Sequence, residues 1–482
     1  MSQAAAAPHR QHYNLTLAVL ALAALSYALL QTMVAPALPE IQKDVGATTT
    51  QVTWVLTVYL LTASVATPVL GRLGDIFGKE RVLVLVLIVF ALGTLVSALS
   101  HTLALLVAGR AIQGAAGAVF PLAFGIIRDE FPREKVATGI GLISATFGIG
   151  GGAGLILSGV IVDHLSYEWI FWFGFVVISI AVVTTHFFVP ESPVKTPARI
   201  DWIGAALMSA GLVCLLLGVS EGNGWGWGSA GVIGLFAAAA ALLVAWVLFE
   251  RRVPQPLVDM GLLRLRGVWT TNLVGLLLGF GMFGSFILIP QFVQIDDAVA
   301  GFGFNASVTE AGLFMLPSTV VMLVAGPASG ALSNRFGSRL PLLMGVAVAA
   351  VSFALLAFAH SEPWEIVIAT VLMGAGIGLS FASMANLIVD AVPQTQTGEA
   401  TGINTIMRTV GGAIGGQVAA SIVAAHVTSG GVQEEQGFTL AFLMGTIALV
   451  VGFLAGLLIP QRGAAAAPVG ARPAEVRPGS RA

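Results

Sequence analysis

The sequence has 482 residues, of which 57% are hydrophobic and 10% are charged, and its formal net charge is −2. So apolar a composition excludes a water-soluble protein of this length and predicts a polytopic membrane protein. Apolar stretches of about 20 residues recur, which favours spanning helices over a β-barrel built from strands of about 10 residues. The single cysteine, Cys214, excludes a disulfide framework or a cysteine-rich metal site within one chain.

Fourteen apolar stretches are each long enough to cross a hydrocarbon core of about 30 Å as a helix. They follow a short polar segment that has no signal-peptide cleavage pattern. An even number of spans places both termini on the same side of the membrane. The predicted spans are residues 14–36, 52–70, 82–99, 103–125, 137–162, 169–189, 202–220, 230–249, 268–294, 309–333, 340–359, 363–387, 401–426 and 437–460.

The positions of the basic residues indicate which side that is. Of the 22 lysines and arginines, 19 fall in the termini and the even-numbered loops, Lys43 falls on the other side, and Arg110 and Arg408 are intramembrane. Because positively charged loops stay in the cytoplasm, both termini are predicted to be cytoplasmic. The Ala-, Gly- and Arg-rich composition favours a high-GC bacterium, and hence the bacterial inner membrane.

Residues 71–81, GRLGDIFGKER, form a charged, glycine-punctuated segment between the second and third spans. We predict a tight turn at one membrane face, where the glycines let helix ends approach closely. Its charges would form a cluster that holds or releases neighbouring helices. The simpler interpretation, a positive anchor after a span, stays open. The residues of this predicted gating turn are Gly71, Arg72, Gly74, Asp75, Gly78, Lys79 and Arg81.

A degenerate copy of this segment, GALSNRFGSRLPL at residues 330–342, follows 259 positions later. Two glycine pairs repeat with a similar offset, since Gly148 and Gly152 match Gly411 and Gly415 at a shift of 263. Both offsets align spans 1–6 with spans 9–14 and leave spans 7 and 8 as an insertion. The predicted organisation is a cytoplasmic segment 1–13, a six-helix bundle 14–189, a linker 190–267 with inserted helices near 202–220 and 230–249, a second bundle 268–460, and a disordered cytoplasmic tail 461–482.

An intramembrane arginine, Arg110, lies in the fourth span and is followed by Gln113 and Gly114. A charge at mid-span costs about 2.5–3.5 kcal/mol on insertion scales, so it is a functional hypothesis by default. Arg110 and Gln113 share a helical face, and we interpret them as residues of a cavity or proton path. A structural arginine bound to backbone carbonyls is the alternative.

The fifth span contains GIGGGAGLILSG, with glycine pairs spaced four residues apart on one flank of the helix. Such a flank is a smooth groove against which another backbone can lie and slide. Ordinary tight packing is the alternative interpretation. The glycines concerned are Gly148, Gly150, Gly152, Gly154 and Gly159.

These motifs together resemble the major facilitator superfamily. GRLGDIFGKER resembles its signature between the second and third helices, and its repetition implies two similar six-helix bundles. RAIQG, from Arg110, resembles its fourth-helix motif, which implies energy coupling by that arginine. The span 5 segment resembles the antiporter motif, although Leu155 replaces the usual proline and Ser158-Gly159 replaces Gly-Gly.

Further segments resemble the fourteen-span drug:proton antiporter group within that superfamily. They include Trp54 and Tyr59, Trp169-Ile170-Phe171, Glu250 with Pro256-Leu257, and residues 393–402. The resemblance implies an exporter that exchanges substrate for protons. The group's first span carries an acidic residue at the position where this chain has Leu30, so that carboxylate is absent here, and the adjacent Gln31 cannot titrate.

Proton coupling requires a buried group whose pKa can change, and the middles of the spans hold almost none. Our first choice is Asp163, which ends the glycine-rich helix, and our second is Glu399, which leads to Arg408. His164, Asp390 and His426 remain as further candidates at span edges, and any of these residues can equally be a solvated anchor.

The substrate cavity should be apolar with a few polar points. Candidates are Gln31, Trp54, Tyr59, Asn272, Gln291, Asn386 and Asn404, and Gln417 is also polar within a span. With few acidic groups in the spans, we expect neutral or amphiphilic lipophilic substrates at least as readily as strongly cationic ones.

We therefore predict an exporter of lipophilic small molecules, with protons as coupling ion and the lipid bilayer as surroundings, working as a monomer. A dedicated exporter of one metabolite or self-made antibiotic is the alternative within transport, and a transport-inactive sensor or scaffold is the alternative outside it. The absence of HExxH and Walker-type motifs disfavours an enzyme or a primary pump. We expect no cofactor, no metal and no nucleic-acid partner.

Overall fold

The computed structural model describes residues 13–47, 49–52, 54–192, 194–195, 201–428 and 432–460. Within these ranges fourteen helices are long and apolar enough to cross a membrane, which confirms the predicted all-helical fold class. The predicted tail 461–482 and most of the N-terminal segment lie outside the described residues. The helices are α1 Tyr13–Asp44, α2 Trp54–Phe77, α3 Lys79–Ala98, α4 Leu103–Glu130, α5 Arg133–His164, α6 Glu168–Phe188, α7 Trp202–Trp225, α8 Ala230–Glu250, α9 Arg266–Gln294, α10 Val308–Phe336, α11 Arg339–Phe358, α12 Pro363–Ala391, α13 Thr397–Ala425 and α14 Glu435–Gly456.

The predicted turn at residues 71–81 is wrong in its extent. Helix α2 continues through Gly71 and Asp75 to Phe77, and α3 begins at Lys79, so Gly78 alone interrupts the helices. Gly78 has φ 114° and Gly337, its counterpart in the second copy, has φ 82°. Such positive φ angles are readily available to glycine and strained for other residues. The same device therefore joins α2 to α3 and α10 to α11.

The first six and last six helices repeat the same packing. Helix α1 packs on α5 as α9 packs on α13, and α3 packs on α6 as α11 packs on α14. In the first bundle, glycine on α5 brings α1 close, because a Cβ at Gly150 would lie 2.3 Å from the Cβ of Ala28. The hydroxyl of Thr32 then donates to the Gly150 carbonyl at 2.8 Å.

The bundles meet along two seams, one between α5 and α10 and one between α2 and α13. The end of the molecule that contains Gly78 is called here the turn end, and the end that contains Trp54 is the far end. Along α5, a Cβ at Gly141 would lie 2.4 Å from the Gly326 carbonyl oxygen, and one at Gly148 would meet the side chain of Met322. Small residues therefore let the two bundles approach at backbone distance.

The inserted helices α7 and α8 pack on each other, and α7 also contacts α2 of the first bundle and α13 of the second. Helix α7 therefore borders the α2/α13 seam from outside. It extends to Trp225 rather than ending at residue 220 as predicted. The sequence after residue 220, EGNGW, reads as a loop by composition, but its neighbours on α13 keep it helical.

Candidate functional site

At the turn end, Asp75 of α2 caps the first turn of α13. Its carboxylate accepts hydrogen bonds from the backbone N–H of Gly398 at 3.3 Å and of Glu399 at 3.1 Å. The first N–H groups of a helix have no partner within the helix and carry the positive end of its dipole. A carboxylate from one bundle thus completes a helix of the other.

Glu399 itself is buried and has partners in two other parts of the chain. Its Oε2 faces Arg72 Nη1 of α2 at 3.3 Å, and its Oε1 accepts from the backbone N–H of Asp259 at 2.6 Å. Asp259 belongs to the segment after α8. The first bundle, the second bundle and the connecting linker therefore meet at one carboxylate.

A second group of charges supports Asp75 from behind. Lys79, wholly buried, lies 2.7 Å from Asp129 and 3.5 Å from Asp75. Arg128 reaches across to the second bundle, where it donates to the Val392 carbonyl at 2.7 Å and to Thr397 Oγ1 at 2.6 Å. These contacts hold the segment that precedes α13, and the first residue of α13, against α4.

The backbones of the two bundles touch at the same place. A Cβ at Gly71 would lie 2.6 Å from the Gly398 carbonyl oxygen, and a Cβ at Gly398 would lie 2.5 Å from the Gly71 carbonyl oxygen. Gly74 lies instead against the side chain of Leu122 of α4, within the first bundle. Arg81, by contrast, is 71% exposed and pairs with Glu191 at 3.2 Å on the surface. Of the predicted gating residues, Gly71, Arg72 and Asp75 make contacts across the seam to α13. The other four, Gly74, Gly78, Lys79 and Arg81, lie nearest to residues of the first bundle or of the segment that follows it.

Arg110 is fully buried inside the first bundle. Its Nε donates to the Val55 carbonyl at 3.1 Å, its Nη1 donates to Gln113 Oε1 at 2.6 Å, and its guanidinium lies 4.0 Å from the ring centroid of Tyr59. Its Nη2 has no hydrogen-bond partner in the described part of the chain, and the Tyr59 hydroxyl interacts with that of Tyr27. The predicted pairing of Arg110 with Gln113 is thus present, together with the carbonyl contact of the alternative interpretation.

A chain of aromatic rings leads from Arg110 across the bundle interface to Arg408. Each ring is within 6.4 Å of the next, and the crossing occurs between Phe147 of α5 and Phe381 of α12, whose centroids are 5.4 Å apart. Arg408 lies 4.2 Å above the Phe381 ring. The intermediate rings are Tyr59, Tyr27 and Phe120. This structure therefore places two interior guanidinium groups at the ends of one apolar, polarisable path.

A cavity of about 430 Å³ lies along the α2/α13 seam toward the far end of the molecule. Its walls come from α2, α7, α9 and α13, and most lining residues are apolar. The polar members are Thr57, Ser220, Glu221, Thr409 and Gln417. Of the polar residues predicted from the sequence, Gln417 lines this cavity.

The other predicted cavity residues lie elsewhere. Asn404 donates to Asn272 Oδ1 at 2.9 Å within the second bundle, and Asn386 reaches the Ala137 carbonyl across the α5 seam. Gln291 is exposed and is not among the residues that line this cavity. Tyr59 lies under Arg110. Trp54 packs at the edge of the hydrophobic cluster around Leu61, and the Oε1 of Gln31 is buried without a partner in the described chain.

Two positions bear on proton coupling. Asp163 is exposed at the far end, where Thr309 Oγ1 donates to it at 3.4 Å. Leu30, at the position of the missing acid, is buried against Gly174 of α6. In the described ranges, no group of three or more His, Cys, Asp or Glu residues is placed to hold a metal ion.

Sequence reasoning missed Glu221, Asp259 and Arg128. The predicted seventh span ends at residue 220, which leaves Glu221 in a loop. Asp259 and Arg128 act through contacts with residues 140 and 269 positions away, which a single sequence does not reveal. In the sequence, the signal that could have identified Glu221 is its position as a carboxylate within one turn of the predicted end of an apolar helix.

Comparison with known proteins matches the chain to the family model of the Major Facilitator Superfamily over residues 20–416, and again over residues 271–480. The tetracenomycin C resistance and export protein of Streptomyces glaucescens is 30% identical over 392 residues, covering 80% of this chain and 72% of that protein. The multidrug transporter protein MdtP of Bacillus subtilis is 28% identical over 78% of this chain and 69% of its own length.

An uncharacterized MFS-type transporter of Mycobacterium tuberculosis is 31% identical, and the aligned region covers 78% of this chain but 55% of that longer protein. Among solved structures, the human organic anion transporter MFSD10 (TETRAN) matches with a TM-score of 0.67 over 92% of this chain and 99% of that one. At 17% identity, the match indicates a shared fold.

Proposed function

Since the chain belongs to the Major Facilitator Superfamily, we propose that it is a secondary active transporter that exports lipophilic small molecules by proton-driven alternating access. In this mechanism two bundles rock about a central site, so that one face opens as the other closes. The substrates would be drugs, antibiotics, dyes or antiseptics, as in the multidrug and antibiotic relatives.

The observation that carries the proposal is an asymmetry along the α2/α13 seam. At the turn end the two helices touch at Gly71 and Gly398 and are joined by Asp75 and Glu399. Toward the far end the same helices form walls of the 430 Å³ cavity. The contacts of Gly71, Arg72 and Asp75 with Gly398 and Glu399 are called here the latch. One stage of alternating access requires a closed contact at one end, such as this latch, and a cavity toward the other.

The latch also supplies a carboxylate for coupling. Glu399 holds the bundles together only while its negative charge faces Arg72 and accepts from Asp259. A proton on Glu399 would remove that charge and weaken the contact with Arg72. We therefore favour Glu399 over the solvent-exposed Asp163 as the residue whose protonation accompanies opening of the turn end.

The direction of transport rests on the basic residues. Lys and Arg concentrate in the loops at the turn end, so that end is assigned to the cytoplasm and both termini with it. On this assignment the latch closes the cytoplasmic side and the cavity lies toward the outside. The protein is proposed to act as a monomer in a bacterial inner membrane, because the turn-end contacts and the cavity are both formed within one chain.

A dedicated exporter of a single antibiotic is the second candidate. It is favoured by one observation, the 30% identity to a tetracenomycin C export protein. A susceptibility panel separates the two possibilities, since a narrow exporter protects against one compound class and a broad one against many.

The test is efflux of a lipophilic fluorescent dye from proteoliposomes under an imposed pH gradient. Wild type is compared with Asp75→Asn, Arg110→Ala, Asp163→Asn and Glu399→Gln. We expect gradient-driven efflux in wild type and in Asp163→Asn, and its loss in Glu399→Gln with dye binding retained. Efflux that ignores the gradient would overturn proton coupling, and coupling lost in Asp163→Asn alone would reassign the proton.

A further inference from the structure

The inserted helix α7 places an acidic side chain on the wall of the cavity. Glu221 is 8% exposed, and the cavity is lined in part by its side chain. No hydrogen bond or ion pair to its carboxylate occurs within the described residues. An unpaired carboxylate at an apolar wall is complementary to the positive group of an approaching ligand.

The residues that line the cavity provide no positive charge to pair with that carboxylate. None of the sixteen lining residues is a lysine or an arginine. Leu56 and Leu60 of α2, with Phe283 and Ile287 of α9, present apolar and aromatic surface to the same space. One negative charge among apolar and aromatic groups matches a molecule with one positive charge on a lipophilic body.

The position of Glu221 is fixed by contacts on either side of it. Ser220 and Thr57 hydroxyls are 3.2 Å apart, which ties α7 to α2. Asn223 donates to Gln417 Oε1 at 3.1 Å, which ties α7 to α13. Because α7 holds to one helix of each bundle, movement between the bundles changes the surroundings of Glu221.

We propose that Glu221 makes this cavity a binding site for a monocationic, lipophilic small molecule, with the carboxylate contacting the positive group and the apolar walls contacting its body. The inference rests on the proposed export function and specifies its substrate class. It also gives the inserted pair a role, because α7 supplies the one acidic residue among those that line the cavity. The cavity volume of about 430 Å³ is within the range for drug-sized ligands.

The test measures binding of tetraphenylphosphonium, a permanent cation, and of Nile red, a neutral lipophilic dye, to the full-length protein in nanodiscs. The variants are Glu221→Gln, Glu221→Asp and, as matched control, Asp297→Asn, which removes an exposed far-end carboxylate outside the cavity. We expect Glu221→Gln to weaken tetraphenylphosphonium binding by about tenfold or more, as loss of a charged partner does. Glu221→Asp should recover most of it, and Nile red binding and the control should stay within about twofold of wild type.

Unchanged tetraphenylphosphonium binding in Glu221→Gln would overturn the proposal. Equal losses for the cation and the neutral dye would also overturn it, because they would indicate a collapsed cavity, and thermal unfolding of each variant checks this independently. The binding assay needs no transport. Cation binding through Glu221 without gradient-driven efflux would therefore support the site while contradicting the export function.

Discussion

Arg72 of α2 and Glu399 of α13 are 327 residues apart in sequence and face each other at 3.3 Å, with both side chains almost entirely buried. Each belongs to a different bundle, so the pair exists only while the turn end is closed. Its formation therefore reports whether the two bundles are in contact at the turn end.

Removing one member of this pair should lower the unfolding temperature more than removing both charges. Arg72→Ala leaves the Glu399 charge buried without its cation, and losing one partner of a buried pair costs about 3–5 kcal/mol. We expect a clearly lowered unfolding temperature, most of it restored by adding Glu399→Gln. Arg81→Ala, in the exposed pair with Glu191, is the control and should change stability by less than about 1 kcal/mol. A double variant no more stable than Arg72→Ala would contradict the assignment.

The glycine contact at the latch predicts a steric effect. Gly398→Ala would place a Cβ 2.5 Å from the Gly71 carbonyl oxygen, so the helices must separate for the turn end to close. We expect a cysteine introduced at the turn end, in a Cys214→Ala background, to react faster with a water-soluble maleimide, and efflux to fall severalfold. Gly234→Ala, with no atom within 4 Å of its Cβ, should match wild type in both assays. Equal labelling of the two variants would refute a glycine-dependent closure.

Tyr59 should matter for its ring and not for its hydroxyl. The ring lies 4.0 Å from the Arg110 guanidinium, whereas the hydroxyl interacts with the neutral side chain of Tyr27. Tyr59→Phe should keep wild-type stability and efflux. Tyr59→Leu should lose about 1–2 kcal/mol of stability, the typical value of a desolvated cation–π contact. Chemical denaturation in mild detergent distinguishes them, and a large effect of Tyr59→Phe would show that the hydroxyl is needed.

Substitution of Arg408 should affect stability and efflux in different directions. Its guanidinium rests on Phe381 of α12 and near Phe147 of α5, and no carboxylate pairs with it in the described ranges. Because an unpaired interior charge costs free energy, Arg408→Gln should keep or raise the unfolding temperature. Efflux should nevertheless fall by about tenfold, since the contact spanning both bundles is lost. A variant with lower stability and normal efflux would assign Arg408 a purely structural role.

The spans and their repeat were predictable because each depends on local composition. A run of about 20 apolar residues identifies a helix wherever it packs, and the second glycine-charged segment identifies the second bundle. The two segments are predicted to interrupt the helices at equivalent positions of the two bundles. Gly78 and Gly337 do so, since each has a positive φ angle between the end of one helix and the start of the next.

What escaped prediction depends on neighbours distant in sequence. Gly71 and Asp75 read as a turn by propensity, yet both are helical, because α13 packs against the first and supplies N–H donors to the second. In the same way, contacts with Gln417 keep the Glu221 region helical. Tertiary packing overrode local propensity at both places, and both places are candidate functional sites.

Helix α8 faces the surroundings over most of its surface. Within this fully described helix of 21 residues, Val232, Ala239 and Glu250 alone are buried, and α8 packs chiefly on α7. A spanning helix adjusts its tilt when the bilayer becomes thicker or thinner, at a cost of fractions of a kcal/mol per Å. Any tilt of α8 is passed to α7, which touches both bundles and carries Glu221. The surroundings of Glu221 therefore depend on lipid chain length, through the packing of α8 on α7.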